Sequence, residues 1–427
     1  MLIKNAYLIL SKEVKKLDIL IESNKITRIG ENISEKCKEQ IDARGKYIFP
    51  GFIDMHTHLR TPGREDEEDL LSGSKAAAKG GFTKIFCMPN TQPPIDNQGL
   101  AKWILEEGKK IAIVDIYPVG AITVNRAGKQ LTEFEALSGA GCFSLSDDGD
   151  SVSDSLILRR ALEYAKMTKM LIISHCEDTS LSNKGVIRES FISSKYGLPA
   201  VSDISESLIV NRDIELAKYL DARIHLAHIS SFKSIEIIKR AKKEGVKVTA
   251  ETCPHYFCLT VEDIEKGNFN SNFKVNPPLG EKKDLKAIRQ ALKDGVIDCI
   301  ATDHAPHSLA EKEVPFEGAP FGLIGLEFAF SLAYTYLVKG NIIGLPAIAE
   351  KMSLNPAKII GLKNCGEIKE GNFADLAIVD LEKTQKIDKE SIFSKSKNTP
   401  FLGKELEGVV ECTIHNGRIV YQKDKNI

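Results

Sequence analysis

Four histidines and an aspartate close short apolar runs in this chain. His56 and His58 end Asp54-Met55-His56-Thr57-His58, His175 ends Ile172-Ile173-Ser174-His175, His228 ends His225-Leu226-Ala227-His228, and Asp303 lies in Ala301-Thr302-Asp303-His304. A further run ends Ser146-Asp147-Asp148-Gly149. His56 and His58 are two residues apart, so on a strand both imidazoles point to one face. Two imidazoles converging on one point repel each other once either is protonated, and a divalent metal removes that conflict. An isolated H-x-H also fits two histidines on a solvated strand end, since short motifs match by chance. His175, His228 and Asp303 at further strand ends tip the balance to a metal. Nitrogen and carboxylate donors without thiolate suit zinc, with manganese or cobalt as alternatives. Cys176, next to His175, points away on a strand and reads as packing. Asp147 and Asp148 face opposite ways. Composition does not choose between them, and the one facing away could cap the Asp-Gly turn that follows. A carboxylate such as Asp303 beside a metal-bound water can both ligate and shuttle a proton.

These residues need elements to hold them. Strand-like runs at 51–58, 84–88, 112–121, 142–147, 170–175, 223–228, 246–251 and 297–302 alternate with helical stretches, among them 67–79, 98–107, 155–166, 205–220, 233–243 and 283–293. Alternating strands and helices imply a parallel sheet. Eight strands is the count of a (β/α)8 TIM-type barrel, with its active site at the C-terminal strand ends. The termini differ from this middle. Residues 1–50 and 366–427 hold short β-rich runs broken by polar turns, and we expect them to meet as one small β-domain. The division is a composite β-domain of 1–50 and 365–427 around a barrel of 51–364. Residues 306–325 carry three prolines, three glycines and the charged run Glu311-Lys312-Glu313, which reads as a long loop over the rim. Arg60, Asn90, Asn276 and His307 add polar groups at rim positions, and Arg60 could grip a carboxylate with its planar fork. With a metal, they point to a small anionic substrate.

Bulk properties exclude several classes. The 427 residues carry 58 Lys+Arg against 59 Asp+Glu, so no net charge draws the chain to nucleic acid or anionic lipid. No apolar run approaches a bilayer span, and residues 1–30 do not read as a signal peptide. We expect a cytoplasmic protein with neither nucleic-acid nor membrane partners. Nine scattered cysteines without a C-x-x-C pair read mostly as reduced core thiols.

In order, Pro50-Gly51-Phe52-Ile53-Asp54-Met55-His56-Thr57-His58-Leu59-Arg60, Met88-Pro89-Asn90-Thr91, His175-Cys176-Glu177-Asp178, Val275-Asn276-Pro277-Pro278 and Ala301-Thr302-Asp303-His304-Ala305-Pro306-His307 resemble the amidohydrolase superfamily. More narrowly, they resemble the class I dihydroorotases of pyrimidine biosynthesis. The likeness runs from about residue 44 to 325 and extends into Gly371-Asn372-Phe373-Ala374-Asp375-Leu376. It implies a metal-bearing barrel with a small β-sandwich built from both termini. It also implies that Asp148 is a ligand and Asp147 a bystander. Relatives that bridge their metals with a carboxylated lysine have no counterpart here, because no lysine lies between Lys129 and Lys166. By the same transfer, His56, His58, Asp148 and Asp303 hold one metal. His175 and His228 hold a second, bridged by Asp148, giving one or two Zn2+ per chain. Arg60, Asn90 and His307 would hold the substrate carboxylate, with Asn276 and backbone near Phe321 and Gly322 reading the ring. Thr61, Leu145 and Ser231-Phe232 depart from the family pattern without removing a ligand.

The reaction so implied is reversible cyclisation of N-carbamoyl-L-aspartate to L-dihydroorotate by a metal-activated hydroxide, with Asp303 as proton shuttle. Its rivals are another cyclic-amide hydrolase, such as a hydantoinase or allantoinase, and a scaffold subunit for aspartate transcarbamoylase. We expect a homo-oligomer, with a transcarbamoylase as a compatible partner.

Overall fold

The computed structural model describes residues 1–424. Its centre is a set of eight short parallel strands: β1 (Phe52–Thr57), β2 (Phe82–Cys87), β3 (Asp115–Pro118), β4 (Ser144–Leu145), β5 (Leu171–Ser174), β6 (Ile224–Leu226), β7 (Val248–Thr252) and β8 (Cys299–Ile300). Each overlaps one of the eight runs expected from the sequence. They pair as two parallel sheets, β1-β2-β3 and β4-β5-β6-β7-β8 in that order. Parallel bridges Gly120↔Leu145 and Thr57↔His304 lie at the two places where the edges of these sheets face each other. Every residue of β1 and β2 is buried, as expected of parallel strands covered on both faces. Ile53, Met55, Phe86, Met88, Leu171, Ile173, Ala227 and Cys299 form one cluster that draws on both sheets.

The intervening helices begin where the sequence provides caps. Asp69 caps Leu70–Lys79 in a capping box with Ser72, Asn97 caps Gln98–Ile111, Asp154 caps Ser155–Thr168, and Ser231 caps Phe232–Lys243. Each side-chain oxygen accepts from backbone N–H groups that the helix itself leaves unpaired.

Both ends of the chain enter a further sheet. Strands Leu2–Ile9, Val14–Glu22, Lys25–Gly30, Gln40–Asp42 and Tyr47–Pro50 join Leu376–Lys386, Glu405–His415 and Arg418–Gln422 in one eight-stranded array. The halves meet where Ile48 pairs antiparallel with Ile378. The pairing is one continuous sheet, not the two separate sheets that a sandwich implies. Leu2–Ile9 makes this continuity: it pairs with Val14–Glu22, then with Gln40–Asp42 through its first half and Tyr47–Pro50 through its second. A register shift between Ile3 and Ala6 marks the change of partner. Ile3, Leu8, Ile19, Ile26, Ile48, Ile378 and Ile414 from both halves share one core. The last three residues of the expected 365–427 segment lie outside the described residues. The expected 306–325 loop contains a short helix, Leu309–Lys312, and Leu323 bridges His304.

Candidate active site

All six expected ligands meet at the C-terminal ends of the parallel strands. His56 lies within β1 and His58 follows it, Asp148 follows β4, His175 follows β5, His228 follows β6, and Asp303 follows β8. Asp148 is at the centre. Its Oδ1 is 3.3 Å from His56 Nε2, 3.3 Å from His175 Nδ1 and 3.4 Å from His228 Nε2, while Oδ2 is 3.5 Å from His58 Nε2. Asp303 Oδ1 lies 3.0 Å from His58 Nε2 and 3.6 Å from His56 Nε2. His175 Nδ1 and His228 Nε2 are 2.8 Å apart. Asp147 faces elsewhere: its carboxylate accepts from the backbone N–H and the hydroxyl of Thr123.

The donor set fits a divalent metal. Among the described residues, buried His56 Nε2 and Asp148 Oδ1 have no hydrogen-bond partner, although buried polar atoms are nearly always paired. Two overlapping donor groups, His56-His58-Asp303 and His56-Asp148-His228, each bring three ligand atoms within 4.8 Å of one another. Burial alone would raise the Asp148 carboxyl, but the imidazoles of His56, His175 and His228 hold it well below the usual range. Burial works against a charged His175, yet Asp148 and Glu177 push that ring up to about 10. Imidazoles and carboxylates packed this closely favour one another's charged forms. Arg60, His228 and Asp303 adopt φ of 58°, 35° and 47°, a region costly for non-glycine residues and concentrated at functional sites.

The expected substrate residues surround this centre, each already held by a protein partner. Arg60 Nε is 3.0 Å from Glu67 Oε2 and donates to the Pro306 carbonyl, while its Nη2 is 3.3 Å from His307 Nε2. His307 Nδ1 is 2.8 Å from Glu67 Oε1, and its Nε2 is 2.7 Å from the Phe321 carbonyl. Asn90 stands behind a ligand, with Oδ1 2.8 Å from His58 Nδ1. Asn276 donates to Glu177 Oε2 at 2.8 Å. The Gly322 N–H donates to the Lys274 carbonyl, and the Gly322 carbonyl accepts from Asn398. Gly322 has φ +134°, and a Cβ there would meet the Ala305 carbonyl at 2.8 Å and the His307 ring at 3.2 Å. Glycine is what lets the two segments close together. Cys176 is buried with Sγ 3.6 Å from the Ser174 carbonyl, as expected of a packing residue.

Three acidic residues to which the sequence assigned no role support the site. Glu251 Oε1 is 2.8 Å from His56 Nδ1, and its Oε2 is 3.2 Å from His225 Nε2. Glu177 lies 3.0 Å from His175 Nε2. Buried Glu67 binds Arg60, Arg64 and His307. Glu251 had a signal, since the seventh strand-like run also ends in an acid. Glu67 sits in the run Glu65-Asp66-Glu67-Glu68-Asp69, where nothing local separates it from its neighbours.

Parallel strands ending in imidazoles and carboxylates define an amidohydrolase, and residues 238–421 match the model of the Amidohydrolase family. Residues 45–234 match the Dihydro-orotase-like model. The chain is 49% identical over 420 residues to the dihydroorotase of Elusimicrobium minutum, covering 98% of this chain and 96% of the relative. It is 47% identical over 423 residues to that of Caldicellulosiruptor saccharolyticus, covering 98% of each. The chain belongs to the dihydroorotase family. Among solved structures, the L-hydantoinase of Arthrobacter aurescens is similar at TM-score 0.91 and 25% identity over 100% of this chain and 97% of its own. The dihydropyrimidinase of Brevibacillus agri is similar at TM-score 0.88 and 26% identity, over 100% and 96%.

Proposed function

We propose that this chain is a dihydroorotase, catalysing the reversible cyclisation of N-carbamoyl-L-aspartate to L-dihydroorotate in UMP biosynthesis. The observation that carries this reading is the juxtaposition of Asp148 and four imidazoles with the Arg60–His307 pair, a metal site beside groups suited to a carboxylate. His56, His58, Asp148 and Asp303 would hold one Zn2+, and His175 and His228 with Asp148 a second. When bound, the metal supplies Lewis acidity and a nucleophile at neutral pH. Asp303 takes up the proton released by the attacking water and returns it to the leaving amide nitrogen. In the biosynthetic direction it accepts the proton of the ureido nitrogen. Arg60 and His307 orient the substrate through its carboxylate, converting binding into positioning. Asn90 braces His58, and Asn276 reaches the ring side with the backbone around Phe321 and Gly322.

The same reading treats the two parallel sheets as arcs of one eight-stranded barrel over residues 51–364. The bridges at both seams and the apolar cluster spanning the two sheets support it. Residues 1–50 and 365–427 form the accompanying β-domain. No helix among the described residues is long and apolar enough to cross a membrane. Our reading includes a cytoplasmic homo-oligomer, for which an aspartate transcarbamoylase is a compatible partner.

Hydantoin hydrolysis is the competing activity, favoured by the solved structures that the chain resembles. The test is hydrolysis of dihydroorotate and of hydantoin by the purified chain, with bound metal counted on the same sample. Turnover of dihydroorotate that chelator removes and zinc restores supports the proposal. Metal-dependent turnover of hydantoin alone would replace it.

A further inference from the structure

A second convergence of ligand-type side chains lies against Asp303, and the reaction proposed above does not use it. Cys253 Sγ, a ring nitrogen of His255 and a carboxylate oxygen of Asp303 all lie within 4.8 Å of one another, and all three residues are buried. Cys253 and His255 stand on one rigid turn. Cys253 follows β7 directly and opens the helix Pro254–Cys258, with its carbonyl accepting from Tyr256 N–H and that of His255 from Leu259 N–H.

His255 is the feature that calls for an explanation. It is 1% exposed, and among the described residues neither of its ring nitrogens has a hydrogen-bond partner. Burying both without partners is costly. Its ring packs on Tyr256 with centroids 4.2 Å apart, so it cannot swing far to seek water.

We propose that Cys253, His255 and Asp303 form an additional site for a thiophilic divalent cation, zinc or cadmium, which competes for Asp303. A thiolate, an imidazole and a carboxylate select such ions over magnesium or calcium. Tetrahedral zinc holds its donors roughly 3.5 Å apart, so the three side chains need only close by rotation. On binding, the S–H bond breaks, a sulfur–metal bond forms and the proton leaves to solvent. Asp303 is also the proposed proton shuttle, so occupancy stops turnover. Excess metal would therefore inhibit a chain that needs metal to work.

The test loads the full chain with zinc to its working stoichiometry and then titrates cadmium. Bound metal is counted after gel filtration, and thiolate-to-metal charge-transfer absorbance is followed. The wild type should take one equivalent more than Cys253→Ser and develop a charge-transfer band that the variant lacks. In a parallel zinc titration, excess zinc should suppress wild-type turnover and spare the variant, with the inhibitory concentration moved at least about tenfold. His255→Asn gives the same comparison if Cys253→Ser fails to fold. Equal stoichiometry and equal absorbance in wild type and variant would overturn the site and leave only an ordered water to satisfy His255. The metal count holds whichever cyclic amide is the substrate. Only the loss of turnover rests on the proposed reaction, so the two readings fail separately.

Discussion

Raising the pH from 6.5 to 9 should loosen the seam between the parallel strands and the terminal sheet. Lys84 and Asp115, on β2 and β3, meet Asp375 and His415 from the C-terminal half of that sheet. Lys84 Nζ is 2.7 Å from Asp115 Oδ2 and 2.9 Å from Asp375 Oδ2. His415 Nδ1 is 3.0 Å from Asp375 Oδ1, and its Nε2 is 3.3 Å from Asp115 Oδ1. Tyr117 adds its hydroxyl to Asp115. Burial disfavours the imidazolium, but the two carboxylates outweigh it and raise His415 from 6.5 to about 9. A raised histidine contributes stability that is complete below its unfolded value and is lost as pH rises through its folded one. The full contribution is on the order of 3 kcal/mol, lost at about 1.4 kcal/mol per pH unit across this window. Asp54, Lys312 and Lys274 also have values displaced into or near this range, so the comparison must be with His415→Gln, which keeps hydrogen-bonding capacity and does not titrate. Urea denaturation at half-unit pH steps reads the effect. The wild type should lose stability with pH faster than the variant, and the two curves should converge above pH 9. Parallel curves would refute the assignment of charge to His415.

Four substitutions test the site. Asp303→Asn should abolish turnover while leaving metal content near normal by elemental analysis; full activity would remove its role as shuttle. Glu251→Gln should weaken metal binding about 10- to 100-fold in a chelator competition, since Glu251 accepts from His56 and His225 and both hold its carboxyl down despite its burial; unchanged affinity would reduce Glu251 to packing. Glu67→Ala should raise the KM for dihydroorotate about tenfold with a smaller change in kcat, because Arg60 and His307 both lose their carboxylate; steady-state kinetics showing kcat falling alone would point instead to the chemical step. Gly322→Ala should cost about 1–3 kcal/mol by its backbone conformation and its contact with Ala305, seen as a lower thermal midpoint. A neutral result there would mean that the 304–323 seam can shift.

Much of this site is written locally. An H-x-H places two imidazoles on one face whatever surrounds the strand, and a ligand at the end of an apolar run will stand at the rim if the strands are parallel. Five of the six expected ligands, all but Asp148, and the eight strands follow from such short-range rules, as do the helix starts after Asn97, Asp154 and Ser231, while the helix expected from residue 67 begins at Leu70. The Gln40–Asp42 strand did not, because three residues with little apolar character carry no pattern of their own.

Other features are decided only by residues far apart in sequence. Asp147 and Asp148 are equivalent as neighbours; the Thr123 hydroxyl and N–H claim Asp147 and leave Asp148 to the imidazoles. Glu251 reaches His56 across 195 positions, and Glu67 reaches His307 across 240. The sequence determined which atoms can ligate and on which strand ends they stand, because strand geometry is local. Which carboxylates brace the ligands, which aspartate is central, and that His255 is buried without a partner among the described residues follow from long-range packing. Burial and unpaired polar atoms are properties of the assembled interior and have no local signature.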